Sequence, residues 1–305
     1  MTTQKVVLPS PVIFGEVLFD RFADGNVVLG GAAFNVAWHL KGFGLEPLLI
    51  SAVGNDALGD KVLHSMRAWQ MSCSGIQSIA TAPTGSVNVS IINEEPQFEI
   101  VANQAYDFID GAQAQQAIAS LPCPSLLYHG TLGIRHAASY AALNRLRIDQ
   151  SLPFYFDINL RPPWVCDGVI EEALQQASWV KVNEHEFHCL QKLLKLSDDD
   201  AEAAVELQAR YGLKSLLITR GKAGASGVAE QGVIKPHSAE VAGMVDTVGA
   251  GDAFSAVVIY GLTVGWQWSQ IVKRAVAFAT AICGVRGGVF RLQQNYDHFL
   301  QQWRE

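Results

Sequence analysis

The chain has 305 residues, a formal net charge of −7, an apolar fraction of 49% and a charged fraction of 17%. That apolar content supports a sizeable core in one large or two smaller α/β units, and the negative balance argues against nucleic acid or an anionic membrane as the main partner. Five cysteines, Cys73, Cys123, Cys166, Cys189 and Cys283, form no C-x-x-C pair, which reads as reduced, buried thiols of a cytoplasmic protein.

The first apolar run is broken by Pro9 and Pro11 and makes a poor signal peptide. Residues 12–14 are strand-like and turn at Gly15-Glu16; 17–23 and 26–29 flank Asp24-Gly25, a hairpin signal. Gly30-Gly31 opens a helix with Ala33, Val36, Ala37 and Leu40 on its inward face, ended by Gly42 and Gly44. A strand at 48–53 and a helix at 58–69 form the first strand–helix unit. Residues 75–80, 85–92 and 97–101 are three strands with no helix between them, which predicts a small separate sheet. From Ala112 helices (to Leu121, 136–148, 201–211) alternate with strands (126–129, 154–158, 179–182, 216–219), and a hairpin follows at 225–235. Such alternation requires a mostly parallel sheet with helices on both faces. The uncharged stretch 253–272 restarts its pattern after Trp266, so it reads as two buried helices rather than a membrane span.

Three stretches carry chemistry. In D-I-N-L-R-P-P (157–163) a strand end puts Asp157, Asn159 and Arg161 in alternation, on one side, where ligands of open α/β sheets bind. Arg161 is the candidate cation. N-E-H-E (183–186) fits a helix N-cap with acids in its first turn; His185 and His188 lack the spacing of a zinc helix. In D-T-V-G-A-G-D-A-F (246–254), Gly249, Ala250 and Gly251 open a helix whose apolar face is Phe254, Val257, Val258, Gly261 and Leu262. The amides and dipole of such an N-terminus favour an anion, above all a phosphate. Asp252 stands in the first turn. A phosphate would repel it unless it accepts a proton from a hydroxyl attacking that phosphate; alternatively it stabilises the dipole of its own helix. The chain has no Walker loop, and Phe254 stands where a dinucleotide fingerprint needs a third glycine, against a nicotinamide oxidoreductase.

D-T-V-G-A-G-D-A-F resembles the C-terminal signature of the ribokinase-like, phosphofructokinase-B type carbohydrate kinases. G-G-A-A-F-N-V-A (30–37) resembles their N-terminal signature, and D-I-N-L-R-P-P resembles fructokinases in particular. The resemblance spans essentially the whole chain. It implies an α/β fold of three layers, α/β/α, in one kinase domain over 1–305, with a small β lid from residues 17–29 and 75–102 that can pair with a second subunit's lid in a homodimer. It implies ATP-dependent phosphorylation of a sugar hydroxymethyl group, fructose first, with ribose, 2-keto-3-deoxygluconate or a nucleoside as other acceptors. A non-catalytic sugar- or nucleotide-sensing relative is the reading from another class. By the same resemblance Asp252 is the base, and Gly249, Ala250 and Gly251 hold the transferring phosphoryl group. Asp20, Gly31 and Asn35 grip the sugar, and Arg161 lies near sugar and phosphate. Asn183 and Glu186 organise Mg²⁺ through water and phosphate oxygens, while Thr219, Gly221 and Gly224 form the nucleotide-side loop with Lys222 beside them. Asp246 and the carbonyls of Val248 and Gly288 would hold K⁺, although C-G-V-R-G-G-V (283–289) departs from the family's usual loop there.

Overall fold

The computed structural model describes residues 8–92, 95–164, 167–238 and 247–304. The first half runs β1 (Ser10–Phe14), β2 (Leu18–Phe22), β3 (Val27–Gly30), α1 (Ala32–Gly42), β4 (Leu48–Gly54), α2 (Ala57–Ala68), β5 (Ile76–Ile79), β6 (Gly85–Ile92), β7 (Glu95–Ile100), α3 (Gly111–Ala119), β8 (Pro124–Gly130) and α4 (Ala137–Gln150). The second runs β9 (Phe154–Asp157), α5 (Asp167–Gln176), β10 (Trp179–Asn183), α6 (Glu184–Leu194), α7 (Asp200–Tyr211), β11 (Ser215–Thr219), β12 (Ala225–Ala229), β13 (Gly232–His237), α8 (Ala250–Val264), α9 (Trp268–Ile282) and α10 (Gln293–Arg304).

Nine strands form one sheet in the order β13-β12-β11-β10-β9-β8-β1-β4-β5, parallel except for the β12 and β13 hairpin at one edge. Helices cover both faces, so central strands are buried on both sides: every residue of β1, β4 and β9 is buried. From β1 the chain winds first towards β4 and β5, then returns to β8 and winds the other way. That reversal at β1 and β8 leaves a crevice beyond their carboxyl ends, the place where such sheets bind ligands.

A second sheet, β3-β2-β6-β7, stands apart. Strands β2 and β3 form the expected hairpin, and β2 pairs in parallel with β6. The first of the three strands expected in the lid does not join it: β5 pairs in parallel with β4 at the edge of the large sheet. Helix α2 between them makes this a β-α-β crossover, the connection that parallel neighbours require. The lid therefore draws on β6 and β7, not on the whole of 75–102.

Helix α1 is buried nearly all round; every residue from Ala33 to Leu40 is inaccessible, including Asn35 and His39. One side packs on β1 and the other on α8. Helix α10, which the sequence reading passed over, closes this layer. Its Tyr296, Phe299, Leu300 and Trp303 follow helical spacing, and the three aromatic ones join Phe43 and Phe278 in a cluster of rings. Contact is close enough that a Cβ on Gly42 would lie 2.5 Å from the Tyr296 ring. Among the described residues no helix is long and apolar enough to cross a membrane. The described cysteines form no disulfide with one another, and of them Cys283 alone is buried; Cys73 and Cys189 are partly exposed, Cys123 is exposed, and Cys166 lies outside the described residues.

Tyr296 is fully buried. Tyr296→Ala is expected to lower stability by about 3–5 kcal/mol, seen as a lower urea midpoint at unchanged slope. A loss below about 1 kcal/mol would mean that α10 is peripheral to the core.

Candidate active site

A cavity of about 900 Å³ opens beyond the carboxyl ends of the large sheet. Its walls bring together Asp20, Gly31, Asn35, Arg161, Asn183, Thr219, Gly221 and Gly224 with the run from Val248 to Asp252. Leu18 and Val87 of the lid cover one end; Ala279, Thr280 and Cys283 line another part. Glu186 and Gly288 are not among the lining residues, and Asp246 lies outside the described residues.

Gly249 begins the glycine run expected to hold an anion. It stands before α8 with φ of +79°, a left-handed conformation that favours glycine. A Cβ there would be 2.5 Å from the Gly288 Cα, so two backbones touch where any side chain would part them. Of the three amides expected to hold phosphate, that of Ala250 already makes a long, 3.3 Å turn bond to the Thr247 carbonyl.

Asp252 is fixed by Asn35, whose Nδ2 donates to Asp252 Oδ2 at 2.8 Å across 217 residues of sequence. A carboxylate only accepts, so the amide's NH₂ must face it. Asn35 Oδ1 then points away, is buried and has no hydrogen-bond partner among the described residues. Asp20 Oδ2 and Asn35 Oδ1 both approach Gly30, at 3.8 and 3.9 Å from where its Cβ would be. This is a pair of acceptors suited to the hydroxyls of a polyol. Burial raises the Asp252 pKa, against the lowering effect of the Asn35 bond; Asp157 adds to the rise, and Lys181 and Arg161 oppose it. A carboxylate with raised proton affinity is a better proton acceptor near neutrality.

Two features of D-I-N-L-R-P-P differ from expectation. The strand ends at Asp157, and Asn159 takes a left-handed φ of 45°, so the alternation that would aim Asp157, Asn159 and Arg161 the same way stops. Asp157 is fully buried, whereas Arg161 is exposed at the cavity rim, donating to the Leu160 carbonyl at 3.0 Å. The buried cation is Lys181 on β10. Its Nζ lies 3.0 Å from Asp157 Oδ1, and a Cβ on Gly251 would stand 3.0 Å from it. Burial alone would lower the Lys181 pKa, but the charge and hydrogen bond of Asp157 together with the charges of Glu186 and Asp252 outweigh this and hold it above the usual lysine value. Ser255 Oγ donates to the other Asp157 oxygen at 2.8 Å. Lys181 is legible only as a polar residue at a buried position of an otherwise apolar strand, V-K-V, a pattern that also fits an exposed face.

Asn183 and Glu186 do form the N-cap of α6. Asn183 Oδ1 accepts from the Glu186 amide at 2.9 Å, and Glu186 Oε2 accepts from the Asn183 amide at 2.8 Å. The other Glu186 oxygen accepts from the Leu160 amide at 2.8 Å, tying the D-I-N-L-R-P-P loop to this helix. With both carboxylate oxygens engaged and no group of three or more His, Cys, Asp or Glu suited to a metal among the described residues, the donor set fits a cation held through water and ligand oxygens, not an all-protein cage.

A further contact reaches the wall from behind. Gly288's carbonyl accepts from His39 Nε2 at 3.1 Å, and Tyr296 OH lies 2.9 Å from His39 Nδ1. Burial pushes the His39 pKa down to about 3, so the ring is neutral. Since a carbonyl only accepts, the single proton sits on Nε2, and the one Tyr296 hydroxyl proton is shared between Nδ1 and the Phe290 carbonyl, 3.2 Å away. Trp38 Nε1 donates to the Phe290 carbonyl at 2.8 Å.

Comparison with known proteins identifies the family. Residues 9–295 match the pfkB family carbohydrate kinase description. A fructokinase from Rhizobium leguminosarum bv. trifolii is 27% identical over 98% of this chain and 88% of its own length. Among solved structures, fructokinase from Xylella fastidiosa with bound ATP superposes with a TM-score of 0.79 at 19% identity, covering 97% of this chain and 99% of its own. Aminoimidazole riboside kinase from Salmonella enterica, complexed with aminoimidazole riboside and an ATP analogue, gives 0.78 at 19% identity over 95% and 99%. The fold is ribokinase-like, and the chain belongs to the pfkB family of carbohydrate kinases.

Proposed function

We propose that this sugar kinase transfers the γ-phosphoryl group of ATP to a hydroxymethyl oxygen of its sugar, with fructose as the preferred acceptor. The observation that carries this reading is Asp252, oriented by Asn35 in the first turn of α8, beside a glycine N-terminus and over a buried lysine. The hydroxymethyl oxygen attacks the γ-phosphorus in line, and the bond to the β,γ-bridging oxygen breaks, releasing ADP. Asp252 takes the hydroxyl proton. The helix N-terminus at Gly249 to Gly251 and the Lys181 ammonium face the charge that spreads over the transferring group; one such donor is worth roughly 3 kcal/mol. Mg²⁺ bound with ATP would neutralise its phosphate oxygens, with Asn183 and Glu186 reaching it through water. Thr219, Gly221, Gly224 and Lys222 line the nucleotide side. Support for fructose comes from the fructokinase relative and from Asp20 and Asn35, whose acceptors converge at Gly30.

Asp252→Asn keeps the shape and removes the proton acceptor. Turnover is expected to fall at least about 10²-fold with little change in sugar KM; near-normal turnover would sink the assignment of the base.

Removing the whole buried ion pair, Lys181→Met with Asp157→Leu, is expected to leave stability nearly unchanged while kcat falls at least about tenfold. An unchanged kcat would make the pair purely structural.

The acceptor and the monovalent ion can be read in one assay of ADP release over fructose, ribose, 2-keto-3-deoxygluconate and nucleosides, run in K⁺ and in Na⁺. Fructose should give the highest kcat/KM, and K⁺ should raise turnover several-fold if the Val248 and Gly288 carbonyls hold it with Asp246. A better acceptor among the others would displace fructose. Equal rates in the two salts would leave the Gly288 carbonyl to His39 alone.

A further inference from the structure

Glu16 takes no part in the reaction outlined above, yet it is 3% exposed on the wall of the same cavity. It follows β1 at the point where the strand order reverses. Gly31, before α1, has no side chain with which to cap the helix. The cap comes from a distance: Glu16 Oε1 accepts from the Ala32 amide at 2.9 Å. The surroundings fit this contact closely. Gly31 has a φ of +104°, and a Cβ there would lie 2.8 Å from the Glu16 carbonyl oxygen; Glu16 Oε2 lies 3.4 Å from where a Cβ on Gly133 would be. Ala32 is the first residue of α1, and Asn35 sits three residues on, its Nδ2 on Asp252.

We infer that Glu16 is a positioning residue, which caps α1 at Ala32 and thereby fixes Asn35 and, through Asn35, the orientation of Asp252. The inference rests on Asp252 as the base. Burial raises the Glu16 pKa to about 7; the Asp252 charge adds to the rise, and the amides of Glu16 and Ala32 and the charge of Arg161 oppose it. Tyr106, Tyr128 and Arg135 are the other titratable groups within its field. An anionic carboxylate accepts a hydrogen bond more strongly than the neutral acid, so the cap tightens as pH rises through 7.

The test is a double-mutant cycle in kcat between Glu16→Ala and Asn35→Ala, with folding checked by circular dichroism. Glu16→Ala alone is expected to lower kcat at least about tenfold, and by less than about threefold when Asn35 is already alanine, because the two act through one path. Equal fold losses in both backgrounds overturn the inference. Normal turnover in Asp252→Asn, with the Glu16–Asn35 coupling intact, would sink the reading of the base and not the coupling. Glu16→Gln, an isosteric acceptor that does not titrate, decides the matter if the alanine variant fails to fold. Wild-type kcat is expected to rise through about pH 7 in a way that Glu16→Gln lacks, and superimposable pH profiles of the two overturn the inference.

Discussion

The hydrogen bond from Asn35 to Asp252 is the constraint on which the rest of the site depends. It joins the first helix to the eighth, and it is one of several bonds made by α1 with that end of the chain. Asn35, Trp38 and His39 stand at i, i+3 and i+4, so they share one helical face. That face bonds Asp252, the Phe290 carbonyl and the Gly288 carbonyl. The glycine contact behind the phosphate end and the carboxylate in front of it are thus referenced to the same rigid element. Buried polar groups tolerate little misplacement, because each one left unbonded costs about 1–3 kcal/mol.

Four of the carboxyl groups in or beside the crevice have quite different surroundings. Asp157 is paired with Lys181 and accepts from Ser255. Glu186 has both oxygens on backbone amides. Glu16 holds a helix end. Asp252 keeps a single side-chain donor and a raised proton affinity. Groups of one chemical type acquire different roles when their environments push their proton affinities apart.

The alternation of strands and helices was readable because its signal is local: period two, period 3.6 and the glycines that end elements. The glycine run before α8 and the acid after it were readable for the same reason. Residues whose meaning lies in a distant partner were not. Glu16 is a turn residue until Ala32 is placed beside it, and Lys181 is a strand lysine until Gly251 comes to lie over it. His39 has no local feature that predicts a neutral ring between Gly288 and Tyr296. The misplacement of β5 had a different origin. Helix α2 is legible, but in the sequence the strand after it stands next to the strands that follow, whereas in the fold it pairs with β4 before it. Helix α10 carries its own periodic signal at Tyr296, Phe299, Leu300 and Trp303.

The all-round burial of α1 also bears on how the chain comes into being. Its cover on one side is β1, made just before it; on the other side it is α8, with α10 at its end, which begin more than two hundred residues later. At synthesis rates of about 5–20 residues per second, that interval is roughly 10–40 s. Throughout it, the apolar flank of α1 has no native partner to bury it. The helix that bonds Asp252 in the finished fold is therefore, in the growing polypeptide, a segment in need of temporary shelter.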